Sequence, residues 1–238
     1  MLKRYYNKVF KCEQANYTID FWGKDKQAAN HSADMKSQLQ LLQDAYPGIN
    51  VFFLNQQHET SLVGLPEKSM DEIFWADADA AYTDRENQAV VIRVADCIPI
   101  LFWDTERILA GGIHAGWRGL DKNIIVKTIN KIALSAQEKE NLFFWVGPHI
   151  QPRSYEVGPE VAAKFPPDCS LPSKNSGKFM LNLNHILHHQ FQEAEIREEQ
   201  VIWQRDDTLT SDFLFSHRGQ DEARNAAVIH IQFHHDGL

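Results

Sequence analysis

The stretch ADCIPILFWDTERILAGGIHAGWRGL, residues 95–120, decides both the fold and the chemistry. Two apolar runs, PILFWD over 99–104 and ILAGGI over 108–113, flank the polar break DTER, which is the pattern of a β-hairpin. With Thr105 and Glu106 at the tip of a two-residue turn, Asp104 faces Arg107 and, counting back along both strands, Cys97 faces His114. Directly opposed residues hold their Cβ atoms ~4.5–5.5 Å apart, near enough for a sulfur and an imidazole nitrogen to share one metal ion or one proton. Gly111, Gly112, Ala115 and Gly116 are small, and the expectation is that they leave space for a ligand beside the imidazole.

Outward from this stretch, AVVIRVAD (89–96) is a further strand, and after GWRG the 3.6-residue spacing of Leu120, Ile124, Ile125, Thr128, Ile129 and Ile132 predicts a helix. INVFFLNQQ (49–57), NLFFWVG (141–147), VIWQ (201–204) and AAVIHIQF (226–233) read as strands. Met35, Leu39, Leu42 and Tyr46 form one stripe of an amphipathic helix behind a Ser32 cap, and LNHILHHQFQEAEI (183–196) is another helix. The proline-rich FPPDCSLPSKNSGK (165–178) reads as a surface excursion. Strands and helices alternate in no strict βαβ order. The fold class is therefore α/β (α+β), with mixed sheets covered by helices rather than a TIM barrel, and residues 1–238 are taken as a single domain.

Composition bounds the function. With 43% apolar and 24% charged residues the chain reads as globular, and it has no apolar run near the ~20 residues of a membrane span. The N-terminal MLKRYYNKVFKCEQ lacks the apolar block of a secretory signal, so a cytoplasmic location is expected. A net charge of −8 argues against a broad footprint on nucleic acid but leaves room for a local arginine site for a small anion. Cys12, Cys97 and Cys169 are few and widely spaced, which excludes a disulfide framework and makes any special cysteine a ligand or nucleophile.

His58, in LNQQHETSLVG, lies at another strand end and offers a second imidazole to Cys97 and His114; spacing alone links it to them by nothing more than that placement. Two imidazoles and a thiolate suit Zn²⁺, and three protein ligands leave the fourth tetrahedral position for water or substrate. Against this stand the plainer readings, a hydrogen-bonded structural His114 and a small buried Cys97. Arg118, ahead of the predicted helix, is either a solvated side chain or a forked donor for phosphate. Trp117 reads as core, and Asp96 as a turn former or a group that orients a ligand. His185, His188 and His189, with Asn182, read as a polar helix face rather than a second metal cluster, and His234 and His235 as a frayed tail.

The block DADAAYTDRENQAVVIRVADCIPILFWDTERILAGGIHAGWRGL (77–120) resembles the DALVT, TADC-P-LL and HAGWRG run of the bacterial YfiH-like family, also called multicopper polyphenol oxidoreductase laccases. NQQH, VGPHIQPRSYEVG and FSHRGQDEARNAAVI resemble its QVHG, VGPCIGPCCYEVG and FSYRRDG-TGR-A elements. The chain departs where QVHG becomes QQHE, where the first cysteine after VGP becomes His149, where Arg153 and Ser154 stand at the later pair, and where NYTIDFWGKDKQ replaces an R-GG-S element.

The resemblance implies a four-layer α/β/β/α sandwich and a metal site of His58, Cys97 and His114, with Zn²⁺ as the usual ion and copper as a further possibility. It implies purine nucleoside and phosphate as partners: phosphorolysis of adenosine, inosine and methylthioadenosine, and deamination of adenosine, with Arg118 as the anion-binding candidate. Three other activities are kept beside it: a cysteine hydrolase using Cys97 and His114, hydrolytic editing of peptidoglycan precursors, and polyphenol oxidation. For the last, three ligands at one site do not make a multi-copper cluster.

Overall fold

The computed structural model describes residues 2–12, 15–25, 35–67 and 74–233, so the Ser32 cap and the His234–His235 tail lie outside the described residues. The chain begins with a long antiparallel pair, β1 (Leu2–Lys11) and β2 (Ala15–Lys24), followed by helix α1 (Met35–Ala45). Then come β3 (Asn50–Asn55), β4 (Leu62–Gly64), β5 (Phe74–Asp77), β6 (Ala80–Thr83), β7 (Gln88–Val94), β8 (Ile98–Asp104) and β9 (Ala110–Ala115). Helices α2 (Trp117–Asp121), α3 (Ile124–Ile132) and α4 (Ala136–Glu140) lead into β10 (Leu142–Val146). The remainder holds β11 (Glu156–Val157), α5 (Pro159–Ala162), β12 (Ser170–Pro172), β13 (Phe179–Leu181), α6 (Leu183–Glu193), β14 (Val201–Trp203) and β15 (Asn225–Phe233).

The strands form one six-stranded sheet in the order β1-β2-β15-β7-β3-β5, a second in the order β14-β10-β8-β9-β6-β4, and a small sheet β11-β13-β12. Both large sheets mix parallel and antiparallel pairs. They stack face to face: Ile19, Phe21, Ile92 and Ile229 of the first meet Leu101, Trp103 and Trp145 of the second. Alternate residues of the second sheet, among them Ile100, Phe102 and Phe144, pack outward on Ile125 and Ile129 of α3 and Leu187 and Phe191 of α6. On the far side, Leu39 and Leu42 of α1 cover Val91 and Val228 of the first sheet. The layering is therefore α/β/β/α, because a strand buried on both faces carries apolar residues at successive positions, as β7 and β8 do.

Three local expectations are corrected. The hairpin loop is longer than two residues: the Asp104 amide pairs with the Leu109 carbonyl, and Pro99, not Cys97, faces His114. Thr105 and Glu106 lack the glycine or asparagine that a primed turn requires, and the Asp104 carboxylate instead accepts the amides of Glu106 and Arg107, both at 2.8 Å, along with the Arg107 guanidinium. The helix expected after Leu120 is two helices, because Asn123 sits in the left-handed region at φ 59° between α2 and α3. Gly111 and Gly112 do not open ligand space, since a Cβ there would strike the Phe102 ring and the Ile92 side chain.

Candidate metal centre and adjoining cavity

Strands β5, β3 and β7 run parallel, so their C-terminal ends lie together at one edge of the first sheet. From each of these ends the chain crosses into the second sheet: β3 to β4 through His58, β5 to β6 through Asp79, and β7 to β8 through Cys97. Three crossings at one edge bring residues distant in sequence to one point. Two of them are strained turns, with His58 at φ 60° and Asp96 at φ 87°. Backbone of this kind costs about 1–3 kcal/mol per residue and persists where surrounding contacts hold it. Asp96 is held by Thr208 Oγ1 at 2.6 Å and by the amide of Arg218 at 2.7 Å, so it forms the turn that presents Cys97.

His114 comes from the end of β9 and is 3% exposed. The ligand atoms of His58, Cys97 and His114 all lie within 4.8 Å of one another. Cys97 Sγ is 4.0 Å from His58 Nε2, and the two imidazole rings stand edge to face with centroids 4.7 Å apart. Zinc bonds of about 2.0–2.3 Å at tetrahedral angles put ligand atoms roughly 3.3–3.7 Å apart, so a small inward movement closes the sphere. Gly116 is what leaves the space: a Cβ there would stand 2.9 Å from Cys97 Sγ and 3.2 Å from His58 Cδ2.

Asp79, fully buried, organises this arrangement. Its Oδ1 accepts the His58 amide at 2.9 Å and lies 2.8 Å from His114 Nδ1; its Oδ2 accepts the amides of Gln57 at 3.2 Å and Glu59 at 2.7 Å. An ionised carboxylate only accepts, so Nδ1 of His114 carries the proton and Nε2 is left to a ligand. Burial pushes the Cys97 thiol up, yet the adjacent His114 and hydrogen bonds from both histidines outweigh it and hold the thiol below its ordinary value. Burial lowers His114, but Cys97 and Asp79 outweigh it and leave the ring above its ordinary value. A thiolate beside two imidazoles is the donor set a borderline ion such as Zn²⁺ accepts, and the residues fit one.

A cavity of about 450 Å³ opens beside the triad. His217, Arg93 and Arg224 line it together with the three candidate ligands. Burial lowers Arg93 to about 10, and the positive charge of Arg224 pushes the same way, so two guanidinium groups share one region of the wall. Arg118 is not among the lining residues: it is exposed on α2, its guanidinium 4.3 Å from the Trp117 ring centroid. Burial is what chiefly raises the Tyr155 hydroxyl, with the nearby Cys97 adding to it and the charge of Arg118 opposing it. Trp117 packs partly buried against the helix-covered core, as the sequence reading held.

Sequence reasoning missed Asp79, Arg93 and Arg224. Asp79 had a signal, a carboxylate set among alanines in DADAA just ahead of a strand, where a charge needs a dedicated partner. Arg93 had a weaker one, a lone cation in the apolar run VVIRV.

A family model described as multi-copper polyphenol oxidoreductase laccase matches residues 16–232. A purine nucleoside phosphorylase of Haemophilus influenzae is 36% identical over 113 residues, 48% of this chain and 43% of that protein. The purine nucleoside phosphorylase YfiH of Escherichia coli is 33% identical over 120 residues, 50% of this chain and 47% of its own. The chain thus aligns with about half the length of these curated relatives. The crystal structure of the Bacillus licheniformis hypothetical protein YfiH superposes with a TM-score of 0.78 at 20% identity, covering 95% of this chain and 100% of that one, which shows a common fold. The chain belongs to the YfiH-like family, the one described as multi-copper polyphenol oxidoreductase laccase.

Proposed function

We propose that the chain is a zinc-dependent purine nucleoside enzyme, carrying out phosphorolysis of adenosine, inosine and methylthioadenosine and hydrolytic deamination of adenosine. The observation that carries the reading is a His58–Cys97–His114 donor set, braced by Asp79, at the wall of a cavity that also presents Arg93 and Arg224. The names of the curated relatives supply the substrate class. His58, Cys97 and His114 would hold the zinc, which would supply Lewis acidity when bound, and copper is the alternative ion for the same donors.

In phosphorolysis the bond from ribose C1′ to the base breaks, a bond from C1′ to a phosphate oxygen forms, and the base takes up a proton. The nucleophile is an anion, and the paired guanidiniums of Arg93 and Arg224 bind and orient it in the cavity by charge-assisted hydrogen bonds. Arg118, whose guanidinium lies over the Trp117 ring, is retained as a second substrate contact. The thiols of Cys97 and Cys169, neither in a disulfide, accord with a reducing compartment, and we place the protein in the cytoplasm.

The test is metal analysis of protein purified without added metal, then a nucleoside panel with and without phosphate. The reading expects about one zinc at the triad, lost in Cys97→Ala, and pentose 1-phosphate formed only when phosphate is present. Release of free base without phosphate, or a Cys97→Ala chain that keeps triad zinc and full turnover, overturns it.

One observation favours a second reading. Asp79, His114 and Cys97 form the orienting acid, base and nucleophile of a cysteine hydrolase, with Asp79 2.8 Å from His114 Nδ1. Zinc that protects Cys97 from alkylation and supports turnover favours the first reading; turnover that zinc inhibits and chelator restores favours the second.

A further inference from the structure

On the opposite side of the second sheet, α6 carries His185 and His189 four residues apart and therefore on one helical face. Asn182 caps the helix by accepting the His185 amide at 3.1 Å, which fixes the first turn. The proline-rich segment is exposed along most of its length, as a surface excursion is, and its first turn packs onto this face. Its short 3₁₀ turn, Pro167–Cys169, is fixed by the Cys169 amide to the Pro166 carbonyl at 2.9 Å and by the Asn182 amide to the Cys169 carbonyl at 2.8 Å.

These two backbone anchors place four donors together. Asp168 Oδ2 lies 2.9 Å from His185 Nε2 and 3.4 Å from His189 Nε2. Cys169 Sγ lies 3.8 Å from Asp168 Oδ1 and 3.9 Å from His189 Nδ1. The imidazole rings stand edge to face with centroids 4.5 Å apart, and one ligand atom from each of the four residues falls within 4.8 Å of the other three. His188, the third histidine of the run, is not part of the group.

We propose that Asp168, Cys169, His185 and His189 form a second metal site, a structural one for Zn²⁺ or a similar borderline transition-metal ion, which staples the 165–178 segment to α6. An ion pair alone accounts for the carboxylate and one imidazole, but not for two imidazoles converging on one carboxylate with a thiol at the floor. Two nitrogens, one oxygen and one sulfur make a complete tetrahedral set for zinc. The first site has three protein donors and adjoins a cavity, the arrangement of a reactive ion; this one has four, which fill a tetrahedral sphere and leave no position to substrate, the arrangement of an ion that holds structure. Burial and the Asp168 carboxylate push the Cys169 thiol up to about 11, so a dication held by these donors would have to outweigh both in displacing the proton. None of these four residues lines the cavity of the first site, so the inference does not rest on the nucleoside reading.

The test uses the full chain carrying Cys97→Ser, which disables the first site and keeps the two outcomes separate. Stripped of metal and titrated with Zn²⁺ alone, this variant binds one ion per chain, and Co²⁺ in its place gives a thiolate charge-transfer absorption. Adding His185→Gln and His189→Gln, both partly exposed side chains, removes that ion and the absorption while circular dichroism stays unchanged. Adding Cys169→Ala instead removes the absorption and weakens binding at least tenfold. Zinc at a hundred times its dissociation constant raises the melting temperature of the Cys97→Ser chain by about 5–10 °C, and the rise is absent once the two histidines are replaced. A Cys97→Ser chain that holds no stoichiometric ion, or one whose ion survives replacement of both histidines, overturns the proposal.

Discussion

Asp79 Oδ1 lies 2.8 Å from Nδ1 of His114 and at the same time accepts the amide of His58, so one buried carboxylate oxygen sets the position of two of the three candidate ligands. Asp79→Asn keeps the shape but turns one acceptor into a donor that faces other donors. Such a change at a group supporting metal ligands weakens metal affinity about 10–100-fold, and the donors left unpaired destabilise the fold by roughly 1–3 kcal/mol. Competition with a chromogenic chelator reads the first effect and urea unfolding of the metal-free chain the second. An Asp79→Asn protein with unchanged zinc affinity contradicts the bracing role.

Gly116 offers a test of the triad that leaves every donor in place. It stands across from Cys97 just beyond the paired strands, and the methyl group of Gly116→Ala would lie 2.9 Å from Sγ. The backbone there is extended, at φ −81°, so alanine brings no conformational strain and the effect is steric. Displacing the sulfur is expected to cost on the order of tenfold or more in metal affinity, as misplaced supporting groups do. The measurement is the Co²⁺ thiolate absorption of Gly116→Ala, which should weaken and shift while the melting temperature of the metal-free chain stays close to the parent.

The convergence of Cys97 and His114 was legible in the sequence although their register was not. The longer loop after Asp104 moves the partner of Cys97 from His114 to Gly116, a slip of two residues, and because side chains alternate with period two the same face is kept. A slip of one would have sent His114 into the opposite layer. His58 was not legible from spacing, since nothing in one strand announces which strands run parallel beside it; the family block supplied it. The first strand went unread because β1, LKRYYNKVFK, is exposed at most positions and shows no apolar alternation. Asp79 escaped because its partners are mostly backbone amides, which carry no sequence signature.

Arg93 and Arg224 allow the proposed anion site to be tested apart from the metal centre. Replacing either with alanine removes one guanidinium of a pair that shares the cavity wall, and lost charge-assisted hydrogen bonds of this kind cost about 1.5–3 kcal/mol. The expected outcome is an increase in the KM for phosphate of roughly 10–100-fold, with zinc content unchanged and with any phosphate-independent deamination nearly unaffected. Arg118→Ala, run beside them, reports whether this exposed side chain of α2 also contacts substrate. If phosphate saturation is the same in Arg93→Ala and Arg224→Ala as in the parent, the anion does not bind in this cavity.

The stability of the fold should fall as pH drops below the ordinary histidine range, and two side chains outside the metal centre set the direction. His149 and His230 are buried, and burial lowers both from 6.5. Asp20 opposes the shift at His230, but burial and the nearby Arg4 outweigh it. The folded chain therefore keeps these rings neutral at a pH where the unfolded chain protonates them. Stability is fully present above about pH 6.5 and is lost as pH falls toward the depressed folded values, with a slope of up to about 1.4 kcal/mol per pH unit for each ring. His230 stands edge-on to Tyr46 with centroids 5.7 Å apart, and its Nδ1 has no hydrogen-bond partner among the described residues. His230→Phe keeps the aromatic contact and removes the titrating group. Urea midpoints of the metal-free protein between about pH 7.5 and about pH 5.5 should fall in the parent and fall less steeply in His230→Phe; identical slopes would show that His230 is not held neutral by its burial.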